Sequence, residues 1–136
     1  MSEQVDVDGN VVQLFSIFHD SRRKNEHWDK NHGKRGADLA IQLRDYCSLN
    51  EEQLDLLITA CTLHTSTINH ENKTIQACFD SDRLDLGRVG KYPNPDLLCT
   101  QMAKDPQVIK WAYQRSLVHE LPKDPFGLDS VAYKQC

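Results

Sequence analysis

A chain of 136 residues, 39% hydrophobic and 26% charged, is long enough to bury a core without disulfide staples and too apolar to be disordered. Its net charge of −4 leaves no overall positive field for a polyphosphate backbone, so nucleic acid is not expected as the main partner. No apolar run reaches the length of a membrane span, and the opening MSEQVDVDGN lacks the apolar segment of a signal peptide, so no membrane partner is expected.

The spacing of Val11, Leu14, Phe15 and Phe18 predicts a first helix over about 10–19. The polar stretch SRRKNEHWDKN that follows reads as a turn-rich loop. A second helix is predicted over 32–47. Asn50, with Gln53 three residues on, forms a capping box for a third helix to about residue 65. Residues 69–73 read as a loop and 74–86 as a fourth helix. Asn94-Pro95 and Asp105-Pro106 each pair a good N-cap with proline at the first helical position. The last helix is expected to reach about residue 119 and to bury Val108, Trp111, Ala112 and Val118, with LPKDPFGLDS beyond it as an extended tail. There is no alternating run and no Asn-Gly hairpin turn. The expected fold class is all-α, a compact helical bundle of five or six helices in one domain over 1–136.

Three of these helices carry a polar residue on an apolar face. His64 shares an arc with Leu54, Leu57, Ile58 and Cys61, and His32 lines up with Gly36, Leu39, Leu43 and Cys47. Asp82 falls in the middle of a stripe of Ile75, Cys78, Phe79 and Leu86. A single histidine so placed reads as a hydrogen-bonded core residue. Two histidines and a carboxylate on three helices form the kind of inward-facing set from which bundles build metal sites. A buried Asp82 needs a metal, an arginine or backbone donors. His19-Asp20 closes the first helix, and its adjacent side chains can reach one ion only where the helix is ending. Imidazole with carboxylate suits borderline divalent ions: Mn, Fe, Zn, Co or Ni. The five cysteines are odd in number and contain no Cys-x-x-Cys pair, which reads as reduced thiols of a cytoplasmic protein. Cys47, Cys61 and Cys78 fall on apolar stripes as core filler.

In order, FHDSRRKNEHWDKNHGKRGADLA, ACTLHT and ACFDSDRLDLGRV resemble the HD-domain superfamily of metal-dependent phosphohydrolases, and DSDRLDLGRVG looks like a subgroup of small bacterial HD proteins. The resemblance spans roughly 11–90, and residues 91–136 carry no family signal. It implies that His19, Asp20 and Asp82 hold one metal, that Asp20 bridges to a second where present, and that His32 and His64 complete the second set. In the family a further histidine lies on a helix before the His-Asp pair, and none precedes His19 here. The resemblance therefore implies either a chain that starts late relative to its relatives or a member with an incomplete first set. His27 or Asp29 is a substitute from the loop. His70 and His119 read as surface residues.

What the resemblance implies is metal-assisted hydrolysis of a nucleotide or other small phosphate ester, with a divalent cofactor among Mn, Fe, Zn, Co, Ni and Mg. Asp20 is the catalytic candidate, orienting the nucleophilic water or accepting its proton. Arg22, Arg23, Lys34 and Arg35 lie near the ligands in sequence and are candidates to clamp substrate phosphate, each also readable as part of a solvated basic face. Arg83 reads equally as an ion-pair partner for Asp80 or Asp85, and Asp85 is the reserve for Asp82. Two other functions stay open: a non-catalytic HD-like module that binds a metal or nucleotide, and a metal-free structural or interaction protein whose histidines and Asp82 are joined by hydrogen bonds. The expected partner is a small phosphorylated molecule; a homo-oligomer is compatible with every reading.

Overall fold

The computed structural model describes residues 6–24, 29 and 31–117, and among them there is helix, turn and coil but no strand. Helix α1, Gly9–Phe18, opens on Asp8, whose carboxylate accepts the amides of Asn10 and Val11. Its buried stripe is Val11, Phe15 and Phe18. The chain re-enters helix at α2, His32–Gln42. The single helix expected over 32–47 is broken at Leu43 (φ −101°, ψ 11°), and a four-residue α3, Arg44–Cys47, follows. Leu43 and Cys47 both pack on the core across this break, and Ser48 at φ 55° ends it in the left-handed region.

Helix α4, Glu51–Leu63, starts with the predicted capping box: Asn50 Oδ1 accepts the Gln53 amide at 2.8 Å, and Gln53 Oε1 accepts the Asn50 amide at 3.1 Å. Helix α5, Lys73–Leu84, is capped by Asn72. Two 3₁₀ turns follow, Leu86–Val89 and Pro95–Leu97, then α6, Gln101–Lys104, and α7, Pro106–Ser116. The two expected Asx-Pro starts are both present, with Asn94 and Asp105 as caps. The first opens only a 3₁₀ turn. Seven α-helices among the described residues exceed the expected five or six because the second predicted helix splits and because α6 is too short to show a period.

A polar linkage aligns three helices. Gln53 Nε2 donates to Asp8 Oδ2 at 2.9 Å, and the Asp8 amide donates to Thr74 Oγ1 at 3.0 Å. The starts of α1, α4 and α5 are thereby held together. Because the three helices also pack pairwise, they run in the same sense and their last turns emerge together. Phe15, Leu57, Ile75, Phe79, Cys61 and Cys78 fill the space between them and are fully buried or nearly so. Helix α2 lies close against this trio because it carries glycine at the contacts. A Cβ on Gly33 would sit 2.1 Å from the Cys61 carbonyl oxygen, and one on Gly36 would sit 2.2 Å from that of Phe18.

Helix α7 departs from expectation. Its buried residue is Ile109, packed in a small second cluster with Leu98, Ala103 and Leu84. Val108 and Ala112 are half-buried, and Trp111 is 59% exposed. The helix rests mainly on the Leu86–Val89 turn and α6 rather than on the main core, so the side facing Ile109 is the one covered. Val118, His119 and the expected tail lie outside the described residues. Among the described residues no helix is long and apolar enough to cross a membrane.

Candidate metal centre

The last turns of α1, α4 and α5 and the first turn of α2 meet at one end of the bundle. α1 runs out at Phe18; His19 is its C-cap, and Asp20 lies in the turn beyond. A continuing helix would splay these neighbours by about 100°, whereas the turn lets both face one cluster. His64 is the C-cap of α4, Asp82 lies in the last turn of α5, and His32 is the first residue of α2. Three helix C-termini, each with a partial negative charge, thus point at the site and favour a cation there.

The three imidazoles share one arrangement. Nδ1 of His19 lies 2.7 Å from the Phe15 carbonyl, that of His32 2.6 Å from the Asp29 carbonyl, and that of His64 2.7 Å from the Cys61 carbonyl. A carbonyl only accepts, so each Nδ1 carries a proton and each neutral ring presents a bare lone pair at Nε2. All three Nε2 atoms point into the cluster. His32 Nε2 is 3.0 Å from His64 Nε2 and 3.1 Å from Asp20 Oδ1, which is 3.8 Å from His64 Nε2. On the other side His19 Nε2 is 3.1 Å from Asp82 Oδ1 and 3.4 Å from Asp20 Oδ2. Asp20 therefore offers one oxygen to each set.

Acceptors facing acceptors at these distances need a proton or a cation between them. In the protein alone, protons and arginines supply it. Burial is the strongest influence on His19 and opposes its charge, but the Asp82 hydrogen bond and the charges of Asp82 and Asp20 outweigh it and raise its pKa. Asp20 is held well below the usual carboxylate range, first by the His64 hydrogen bond against the cost of burial, then by the charges of the three imidazoles. Burial pushes Asp82 up most strongly, yet His19 brings it below its ordinary value. Arg23 Nη1 reaches Asp20 Oδ1 at 3.5 Å, and Arg88 Nη2 reaches Asp20 Oδ2 at 3.4 Å.

The donor set fits a divalent ion. Ligand atoms bound at about 2.1 Å lie about 3.0 Å apart in octahedral and about 3.4 Å apart in tetrahedral geometry. The separations above bracket those values. Among the described residues, two groups of three offer ligand atoms all within 4.8 Å of one another, close enough to close on one ion with small side-chain movements: Asp20 with His32 and His64, and Asp20 with His19 and Asp82. The carbonyl partner on each Nδ1 is also the outer support that fixes a metal-ligating imidazole.

All five candidate ligands are thus brought together, and the other candidates are distributed around them. Arg23 reaches the cluster; Arg22 and Lys34 are exposed; Arg35 pairs with the Asp29 carboxylate and donates to the Arg22 carbonyl. Asp29 serves through its backbone, orienting His32, while its carboxylate also accepts the Lys24 amide. His27 and His119 lie outside the described residues, and His70 is half-buried, its Nδ1 accepting the Asn72 amide. Asp85 is exposed and pairs with Arg88. Arg83 pairs with neither Asp80 nor Asp85, contrary to the sequence expectation. Its guanidinium donates to the carbonyls of His64, Thr67 and Ile68, which the end of α4 and the loop after it leave without helical partners, and to that of Leu97 at the end of the Pro95–Leu97 turn. Arg88 carries no helical-face signal; its only sequence cue is a basic residue six positions beyond Asp82.

Two cavities meet over Asp20, Asp82 and Arg88. One, about 690 Å³, opens towards α7 and is walled by Trp111 and Arg115. The other, about 710 Å³, opens over Arg23, His64, Thr65 and Lys91. No family model matches the chain, and no curated protein or solved structure matches it.

Proposed function

We propose that the chain is a metal-dependent phosphohydrolase acting on a nucleotide or other small phosphate ester, in keeping with its resemblance to the HD-domain superfamily. The observation that carries this reading is the convergence of three imidazole Nε2 atoms and two carboxylates, with two arginines beside them. The set Asp20, His32 and His64 is the favoured position for the ion, since it joins two imidazoles and one carboxylate and needs no residue upstream of His19. A divalent ion held there by Asp20, His32 and His64 would supply positive charge to offset the phosphoryl oxygens and would acidify water. Water oxygen bonds to phosphorus as the ester P–O bond breaks, and the proton the water gives up ends on the leaving oxygen. Asp20 orients the water; held so far below the usual range, it stays ionised and is a weak proton acceptor. Arg23 and Arg88 both line the cavity over Asp20 and Asp82, and as charged donors they would hold the phosphate.

A second reading, a metal-free interaction protein, draws on the ion pairs that already engage Asp20 and Asp82. One experiment separates them. Mn, Co, Ni or Mg should raise the melting temperature by an amount set by RT ln(1 + [L]/Kd), and His64→Ala should remove that gain. A phosphatase panel with the same ions then tests turnover, for which slow, metal-dependent rates are expected. A melting temperature indifferent to metal and chelator would establish the metal-free reading. Metal binding without hydrolysis of any ester would leave a non-catalytic module.

A further inference from the structure

The two cavities above the centre differ in chemistry. The one over Arg23 and Lys91 has cationic walls and, among the described residues, no phenylalanine, tyrosine or tryptophan; its one ring is the imidazole of His64, already turned to the centre. The one towards α7 has an aromatic wall: Trp111 lines it while 59% exposed, and the Arg115 guanidinium lies 5.3 Å from its ring centroid. An indole that lines a concave cavity of about 690 Å³, with a guanidinium over one face and 59% of its surface still exposed, offers its other face for stacking, and that volume falls in the range of small-ligand sites. Both cavities include Asp20, Asp82 and Arg88, so a phosphate at that junction must send its remaining part into one of them. A planar ring is served by the α7 side, where stacking and a guanidinium are available together.

We propose that α7 builds a leaving-group subsite in which Trp111 stacks a planar heteroaromatic ring, making the substrate a phosphate ester of a ring-bearing group such as a nucleoside monophosphate. This rests on the phosphohydrolase reading for where the phosphate sits, but the subsite itself is a binding property and is tested as one. Calorimetric titration of adenosine 5′-monophosphate and of ribose 5-phosphate, with EDTA and with Mn, gives the comparison. Wild-type protein should bind the nucleotide about tenfold or more tightly than the sugar phosphate, the size expected from one stacked base. Trp111→Ala should bring the nucleotide to the affinity of the sugar phosphate and leave the latter unchanged. Trp111→Phe should keep most of the preference. Because Trp111 is largely exposed, melting curves of both variants should match wild type, so the loss reports the subsite and not the fold.

Equal affinity for the two compounds in wild type, no binding of either, or an equal loss for both in Trp111→Ala overturns the subsite. A ring preference in protein that neither takes up metal nor hydrolyses any ester supports the subsite and removes the phosphohydrolase reading. Hydrolysis of both compounds at the same kcat/KM, without ring preference, keeps the phosphohydrolase and removes the subsite.

Discussion

His19 and Asp82 tie the centre to pH with opposite signs. In the metal-free protein the pKa of His19 is raised, so its contribution to stability is complete below about 6.5 and fades as pH rises through its folded value. That of Asp82 is lowered, so its contribution is complete above about 3.8 and fades as pH falls through its folded value. Metal-free protein is therefore expected to melt at a lower temperature at pH 8 than at pH 6. Coordination runs the other way, because imidazole binds a metal only when unprotonated, and the metal increment should grow over the same interval. Melts at pH 6, 7 and 8 with EDTA and with Mn check both slopes; an increment indifferent to pH would contradict coordination by histidine. Among carboxylates, Asp82 was legible because it interrupts an apolar stripe. Asp80, two residues earlier and 5% exposed, was not. It accepts the Cys99 amide at 2.6 Å, the Thr100 amide at 3.1 Å and the Thr100 hydroxyl at 2.8 Å, and partners some twenty residues away leave no local pattern.

At the scale of elements, caps and periods were readable, and boundaries governed by tertiary packing were not. Asn50 with Gln53 marks the start of α4 because a capping box is a local contract between two side chains and two amides. The break at Leu43 and the exposed Trp111 depend on which neighbour each segment meets. The approach of α2 to α4 shows the same dependence. Gly33 sits beside His32, and the carbonyl of Cys61 occupies the space a methyl group would need. Gly33→Ala must push the helices apart against backbone atoms, at a cost of about 1–3 kcal/mol. The same displacement draws His32 Nε2 away from His64. Denaturant unfolding should show the lost stability, and the metal-induced rise in melting temperature should shrink with it. A Gly33→Ala protein with wild-type stability and an undiminished metal increment would contradict the role given to this contact.

Across the whole molecule, helical faces pointed to His32, His64 and Asp82, the end of the first helix and the HD-domain resemblance added His19 and Asp20, and the two cavities above these five candidate ligands required the path of residues 86–117, for which the sequence offered caps but no direction. The same convergence has a consequence in time. His19 and Asp82 are 63 residues apart and His32 and His64 are 32 apart, and neither ligand set is complete within two consecutive helices. Closing such separations precedes any gain from the contacts they make, so the cluster belongs to the late stage of assembly. A ligand bound only after the rate-limiting step leaves the folding rate unchanged and appears entirely in the unfolding rate. At a free ion concentration of about 100 Kd, unfolding should slow about a hundredfold while refolding keeps its metal-free rate, a pattern that stopped-flow traces with and without Mn would read directly. Faster refolding in metal would place the ligands in the folding nucleus instead. An ion bound in this way would govern how long a folded molecule lasts, not how quickly it forms, and the half-life of the protein in a cell would become a function of metal supply.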